Sequence, residues 1–395
     1  MNKMTVKDID TKDKKVLMRV DFNVPRDKKT GAITDDARIR AALPTIEYIL
    51  KQGPRKLILM THLGRPDGHV KEDLRLDKVA ERLSQLIKAP VKKLDDCVGE
   101  TVRKGIDASS EKVVLLENLR FHAQEEENDV SFAKDLAGLA DLYVDDAFGA
   151  AHRAHASTEG VAHYLPAVAG LLMDKEIEYL GTSLEAPQKP FAVILGGAKV
   201  SDKIGVIENL LKKADRLLIG GGMAYTFLKA QGLPIGNSKL ESDKIDLARE
   251  TLGKAKEAGV EIVLPVDHLI VDKIETPGRV ETTTDASIPD GMIAVDIGPK
   301  TIRLFIDRLK DCRTICWNGP LGIFEDERYA KGTREVAEAI TKTGAKTIIG
   351  GGDTASAVAH FGLQDKMTHI STGGGASLEF MEGKLLPGIA ALKDK

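Results

Sequence analysis

Two lysines four residues apart, Lys199 and Lys203, follow Gly196-Gly197 and an apolar run at 191–195. Cations where a helix begins oppose its dipole, so the placement does nothing for stability alone. It does suit an anion held between the ammonium groups and the free N–H groups of the helix start. With Ser201 as N-cap, Lys199 lies just before that helix and Lys203 in its first turn. Two solvated lysines on a surface loop would read the same way, and this stretch alone leaves both possibilities open. A second set is Arg38, His62, Arg65, Arg120 and Arg153, each behind a different apolar run or near the helix start that follows it. One such arginine is ordinarily a solvated surface residue. Five basic side chains at equivalent places form a pocket for a small, doubly anionic molecule, because guanidinium forks match carboxylate and phosphate. Asp21 and Asn23 beside them suit a hydroxyl group rather than the anion. His152 and His155 lack the i, i+4 spacing of helical metal ligands, and no third ligand is evident.

A third set is glycine. Gly220-Gly221-Gly222, Gly350-Gly351-Gly352 and Gly373-Gly374-Gly375 each close an apolar run. One such run reads as a tight turn; three imply close backbone approach to a nucleotide. None fits the P-loop pattern. Gly350-x-Gly352-x-x-Ala355 loosely matches a dinucleotide fingerprint, but Asp353 would repel a bare pyrophosphate there. The ribose-binding acid expected roughly twenty residues on is also missing. An aspartate beside backbone N–H groups fits a Mg2+–phosphate complex instead, since Mg2+ binds with few protein carboxylates.

The elements that must carry these residues repeat one grammar: apolar run, glycine-rich or polar ending, helical pattern. In the first half the runs lie at 16–20, 56–60, 113–116 and 142–144, with helical patterns at 40–51, 76–87 and 131–140. In the second they lie at 191–195, 216–219, 261–264, 292–295, 314–317, 347–349 and 369–372. Strands alternating with helices predict parallel α/β sheets with ligands beyond the strand carboxyl ends. A helical pattern at 171–180, closed by Pro187 and Pro190, connects the halves.

Length and composition bound the rest. A chain of 395 residues predicts two domains, and 42% hydrophobic with 30% charged residues fits a globular protein. The net charge of −3 excludes a global basic field for nucleic acid. Cys97, Cys312 and Cys316 form no disulfide framework and favour a reducing compartment. No run approaches the ~20 apolar residues of a membrane span, and the N-terminus has no signal-peptide core, so the cytoplasm is expected.

Eight blocks in order then resemble the phosphoglycerate kinase family: M-R-V-D-F-N-V-P (18–25), H-L-G-R-P-D-G (62–68), E-N-L-R-F-H (117–122), D-A-F-G-A-A-H-R-A-H (146–155), G-G-A-K-V-S-D-K-I (196–204), W-N-G-P-L-G-I-F-E (317–325), G-G-G-D-T-A (350–355) and S-T-G-G-G-A-S (371–377). The resemblance implies two Rossmann-like α/β domains, each a mainly parallel sheet with helices on both faces, joined by an interdomain helix. A phosphoglycerate-binding domain would span 1–170, the hinge helix 171–188 and a nucleotide-binding domain 189–379, with 380–395 packing back on the first. It implies Mg2+-dependent, in-line transfer of a phosphoryl group from 1,3-bisphosphoglycerate to ADP after hinge closure, giving 3-phosphoglycerate and ATP. By motif position, Asp21, Asn23, Arg38, His62, Arg65, Arg120 and Arg153 would bind the phosphoglycerate. Lys203, Gly220, Gly221, Gly222, Asn318, Pro320, Glu325, Gly351, Gly352, Asp353 and Thr354 would bind the nucleotide, Asp353 through Mg2+. Arg38 and Lys199, with the amides of Gly352 and Gly375, would act on the moving phosphoryl group. A cytoplasmic monomer without nucleic-acid or membrane partners is implied. Asp145, where many members carry Asn, and Ala294, where many carry Gly, depart from the family pattern.

Overall fold

Short runs of Val, Ile and Leu without polar alternation must be buried on both faces, and such runs form the centres of two sheets. The computed structural model describes residues 2–27 and 29–395. The chain divides into two units, Met1–Glu178 with Leu385–Lys395, and Tyr179–Lys384.

The first unit holds β1 (Lys15–Arg19), β2 (Lys56–Met60), β3 (Val91–Lys93), β4 (Val113–Leu115), β5 (Leu142–Asp145) and β6 (Ala167–Ala169). They lie in the order β3-β4-β2-β1-β5-β6, all parallel. Helices Ala37–Lys51, Asp77–Ile87, Glu100–Ala108 and Val130–Ala137 lie between the strands in sequence. On Asp77–Ile87 the buried residues Val79, Ala80 and Leu83 recur at helical spacing and join Leu57, Leu59 and Ile46 in one core. The last residues belong to this unit. Gly388 N donates to the Ala151 carbonyl at 2.9 Å and Lys393 N to that of Ala167 at 3.0 Å.

The second unit holds β7 (Phe191–Leu195), β8 (Arg216–Ile219), β9 (Glu261–Val263), β10 (His268–Val271), β11 (Val280–Thr282), β12 (Ile293–Ile297), β13 (Thr314–Asn318), β14 (Lys346–Gly350) and β15 (His369–Ile370). Six form a parallel sheet in the order β15-β14-β13-β7-β8-β9. All five residues of β7 and of β13 are buried, Trp317 among them. Strand order reverses between β7 and β13 here, and between β1 and β5 in the first sheet. At such points the flanking loops diverge and leave a crevice at the strand carboxyl ends.

The run at 292–295 departs from expectation. It is not another parallel strand but part of β12, which pairs antiparallel with β10 in a separate three-stranded sheet, β11-β10-β12. The strands β3, β6, β10 and β11 also went unread. All three positions of β11 are exposed, so no apolar alternation marks it. The connector is helical from Leu171 to Glu185, further than its apolar pattern suggests, with a π-helical stretch at Ile177–Thr182. The division between the units falls inside that stretch.

Candidate active site

In the first unit, four adjacent strands, β4, β2, β1 and β5, end in the loops that carry the basic residues. Arg38 stands in the first turn of Ala37–Lys51, and its Nη1 donates to Asp21 Oδ2 at 2.9 Å. Asn23 Oδ1 accepts from Gly64 N at 2.9 Å, tying the loop after β1 to the loop after β2. Arg120, on a 3-10 turn after β4, is 6% exposed and donates through Nη1 to the Gly64 carbonyl at 2.9 Å. Its Nε lies 3.1 Å from Glu126 Oε1 without the alignment of a hydrogen bond. Arg153 is half-buried, 3.2 Å from His152 Nε2 and 4.0 Å from the same Glu126 oxygen. Arg65 is exposed.

Two histidines register the combined charge. Burial, then Arg19, Arg120, Arg38 and His155, hold His62 well below the usual imidazole range. Burial, then Arg120, Arg19, Arg153 and His152, hold His155 down to about 3. Both are neutral at pH 7, so arginines alone supply the charge and the imidazoles supply hydrogen bonds.

Sequence reasoning missed the support beneath this cluster. Arg19, the last residue of β1, is 1% exposed; its Nε donates to Ser157 Oγ at 2.8 Å and its Nη2 lies 3.1 Å from His62 Nδ1. Ser157 in turn donates to Glu125 through N at 2.9 Å and Oγ at 2.6 Å. Glu125 is fully buried, and burial raises its carboxyl while Arg19, Ser157 and Arg120 oppose the rise. A buried acid thus steadies a buried arginine, which orients His62. An arginine inside an apolar strand was the one available signal. Asp145, the departure at the end of β5, is fully buried, and burial pushes its carboxyl up to about 7. A carboxyl that holds a proton near neutrality can, like an amide, both donate and accept a hydrogen bond.

In the second unit the loops after β15, β14, β13, β7 and β8 come from adjacent strands. Lys203 is 8% exposed and bonds Asn318 Oδ1. Burial lowers its ammonium pKa, partly offset by Asp202, Asp353 and Glu382. The Asn318 amide nitrogen is buried without a partner. Thr354 is buried and its hydroxyl accepts from Gly319 N at 2.6 Å, so it anchors a loop. Helix Gly352–His360 opens with exposed Gly352 and Asp353, and helix Gly374–Met381 opens with exposed Gly375 in its first turn. A side chain at Gly352 would meet nothing within 4 Å. Lys199 and Glu325 are exposed, and Pro320 is half-buried.

Several other glycines stand where loops pack closely. A Cβ on Gly196 would sit 2.1 Å from the Pro320 carbonyl oxygen, and one on Gly221 would sit 2.7 Å from Gly197 N. Gly319, at φ +98°, returns the approach: its Cβ would lie 2.2 Å from the Gly196 oxygen. The backbone of Gly221 thus lies close against that of Gly197, and Gly220 lies against the Leu321 side chain, where an added Cβ would sit 2.5 Å from the nearest carbon. The capping expectation also changes. Ser201 caps nothing: the helix is Ile204–Leu210 with Lys203 at its N-cap, and Ser201 donates to Glu241. Ala294 lies in β12, packed with Tyr225 and Met292.

The donors present fit Mg2+ on a nucleotide. Asp353 is an exposed carboxylate at a helix start, near enough to Lys203 to influence its charge. A single carboxylate suffices where phosphate oxygens complete the shell. Among the described residues, one group of metal-ligand types gathers elsewhere: Asp96, Cys97 and His122. Their side chains already have protein partners. His122 Nε2 lies 2.7 Å from Asp96 Oδ1, and Cys97 Sγ donates to the Glu117 carbonyl at 3.0 Å. Burial pushes that thiol well above its ordinary value. Among the described residues no helix is long and apolar enough to cross a membrane.

The family model for phosphoglycerate kinase matches residues 6–384. The chain is 58% identical over 394 residues to the phosphoglycerate kinase of Dictyoglomus turgidum, covering 99% of this chain and 98% of that protein. It is 56% identical over 402 residues to that of Microcystis aeruginosa, covering both chains fully. The fold is similar to the solved phosphoglycerate kinase from Coxiella burnetii, with TM-score 0.89, 42% identity and 98% coverage of each chain. It is also similar to that from Pyrococcus horikoshii OT3, with TM-score 0.81, 34% identity and 98% coverage of each chain. With the matches spanning essentially the whole chain and both parallel sheets in place, the chain belongs to the phosphoglycerate kinase family, enzymes that move a phosphoryl group between 1,3-bisphosphoglycerate and ADP.

Proposed function

We propose that this chain transfers the acyl phosphate of 1,3-bisphosphoglycerate to ADP by in-line displacement, giving 3-phosphoglycerate and ATP, with Mg2+ on the nucleotide. The observation that carries this reading is the arginine field in the first unit, gathered at four adjacent strand ends, with Arg38 on Asp21, Arg120 on the Gly64 carbonyl and Arg19 beside His62. Such a field suits a small molecule with two anionic ends. Arg38, Arg65, Arg120 and Arg153 bind those ends together with His62, while Asp21 and Asn23 take the hydroxyl. In the second unit Lys203, Asn318, Pro320, Gly351, Gly352, Asp353 and Thr354 hold the nucleotide, with Glu325 at its ribose and Gly220 to Gly222 bordering its base. When bound, Mg2+ neutralises phosphate charge, and Asp353 is the residue that would hold it.

In reverse the acceptor is a carboxylate, ionised at pH 7, so the reaction calls for no general base. What remains is alignment, exclusion of water and neutralisation of the group in transit. Arg38, Lys199 and the amides of Gly352 and Gly375 do this. The phosphoglycerate residues belong to one unit and the nucleotide residues to the other, so transfer requires a hinge to close through the 171–188 helix. Buried free cysteines suit a reducing cytoplasm, and we take the working form to be a monomer.

A thermal-shift titration separates this from the dinucleotide alternative. ADP with Mg2+ should raise the midpoint and NAD should leave it unchanged; protection by NAD alone would overturn the nucleotide assignment. Small-angle scattering with 3-phosphoglycerate and MgADP should show a smaller radius of gyration. An unchanged radius with both ligands bound would remove the closure step.

A further inference from the structure

The two amides after Lys199 already hold an anion, and it comes from the protein. Glu241 accepts from Val200 N at 2.5 Å and from Ser201 N at 3.2 Å on one carboxylate oxygen, and from Ser201 Oγ at 2.6 Å on the other. Three donors from two consecutive residues on one carboxylate form a fixed clamp. Burial works against its charge, but the Ser201 hydroxyl and amide, the Val200 amide and the Lys199 charge keep the carboxyl below its usual range. The clamp is itself anchored, since Glu241 N donates to Thr226 Oγ1 at 3.3 Å and Thr226 is 1% exposed on the helix Met223–Ala230.

The clamp adds to the ties on either side of Lys199, among them the Val200 carbonyl, which accepts from Lys203 N at 2.9 Å. Before Lys199 the backbone is tied at Gly197, whose N donates to the Pro320 carbonyl at 2.9 Å and whose carbonyl accepts from Met223 N at 3.1 Å. After it, Val200 is fully buried and Lys203 bonds Asn318. Ala198 and Lys199 are exposed between these ties, beyond a glycine at φ +95°. Glu241 grips the amide immediately following Lys199. It therefore fixes the backbone from which the Lys199 side chain extends.

We propose that Glu241 is a positioning residue for the phosphoryl-transfer step, holding Lys199 in place through the Val200 and Ser201 amides. The proposal rests on the reading of Lys199 as a charge that acts on the moving phosphoryl group. Misplacement of such a group by about an ångström costs on the order of a hundredfold in rate. Removing a clamp that fixes only the backbone should cost about tenfold in kcat, with KM for either substrate moving less than threefold. A merely structural role would move stability or both constants instead.

The test is steady-state kinetics on Glu241→Ala, Glu241→Gln and Ser201→Ala, on Lys199→Ala, and on Lys199→Ala combined with Glu241→Ala. Expected is a graded loss of kcat, largest in Glu241→Ala, smaller in Glu241→Gln and smallest in Ser201→Ala, which keeps both amide bonds. In the Lys199→Ala background the Glu241→Ala change should add less than twofold, because its action passes through that lysine. If Lys199→Ala lowers kcat but Glu241→Ala does not, the clamp proposal is overturned and the role of Lys199 stands. Full additivity of the two changes also overturns it. If Lys199→Ala leaves kcat unchanged, the reading beneath the proposal fails, whatever Glu241 does. Should Glu241→Ala melt early, Glu241→Gln carries the decision, since it keeps size and one acceptor.

Discussion

Arg19→Met should damage the first unit more than any change of similar size on its surface. The arginine is 1% exposed and bonded to Ser157 and close to His62, while Ser157 passes both its donors to Glu125, which has no exposed surface. Methionine fills most of the space but leaves the carboxylate without the charge that acts on it most strongly. Removing one member of a buried ion network costs about 3–5 kcal/mol. Arg120 still acts on Glu125, which places the expected loss near the lower end, about 3 kcal/mol. Against a total stability of roughly 5–15 kcal/mol, that is a large fraction. The loss carries a pH signature. Burial already raises the Glu125 carboxyl above its ordinary 4.5 and Arg19 opposes the rise. Without Arg19 the folded carboxyl holds its proton to higher pH than the unfolded one. A folded state that binds more protons loses stability as pH rises. The destabilisation should therefore grow from pH 5 to pH 8, by about 1.4 kcal/mol for each further unit of pKa rise sampled in that window. Urea unfolding of both proteins at the two pH values, followed by far-UV circular dichroism, measures it. A loss below about 1 kcal/mol at pH 8, or one larger at pH 5 than at pH 8, would refute the reasoning.

Two shorter predictions concern the loops. Gly196→Ala should cost about 1–3 kcal/mol, because the new methyl would stand 2.1 Å from the Pro320 oxygen and 2.4 Å from that of Gly319. Trp317, whose Nε1 donates to the Gly319 carbonyl at 2.7 Å, reports it by fluorescence, and an unchanged unfolding midpoint would count against the interlocked turns. The ring-proton resonances of His62 and His155 should keep neutral-form shifts down to pH 5.5, since burial and arginine charge hold both pKa values below the usual range. The sign follows: unfolded imidazoles take up protons that the folded ones refuse, so these histidines contribute stability that is lost as pH falls below about 6.5. A titration of either resonance centred near 6.5 would contradict the charge assignment.

What was legible in the sequence follows from what each feature asks of the chain. Strands buried on both faces, such as β2, β7 and β13, must be continuous apolar runs, and they were read at nearly their observed limits. The antiparallel sheet escaped because β11 is exposed throughout and β10 and β12 meet across a register shift, so neither shows a clean period. Basic residues at strand ends were legible because their type is out of place there. Their supports were not: Glu125 and Ser157 look like ordinary helix and loop residues, and only the fold brings them to Arg19. Glu241 lies 40 residues from the Ser201 it clamps, a separation no local pattern reveals. The two amides that follow Lys199 are held by this carboxylate. Glycine runs show where space is tight, not against what: Gly221 lies against the Gly197 backbone and Gly220 against the Leu321 side chain, neither near in sequence.

The central claim is phosphoryl transfer between an acyl phosphate and ADP, and appearance of ATP tests it most directly. Purified chain given 1,3-bisphosphoglycerate, ADP and Mg2+ should form ATP and 3-phosphoglycerate in equal amounts, at a rate proportional to chain concentration. Arg38→Ala and Lys199→Ala should each lose most of that rate while still binding MgADP. ATP formation no faster than without the chain, with both substrates shown to bind, would contradict the account.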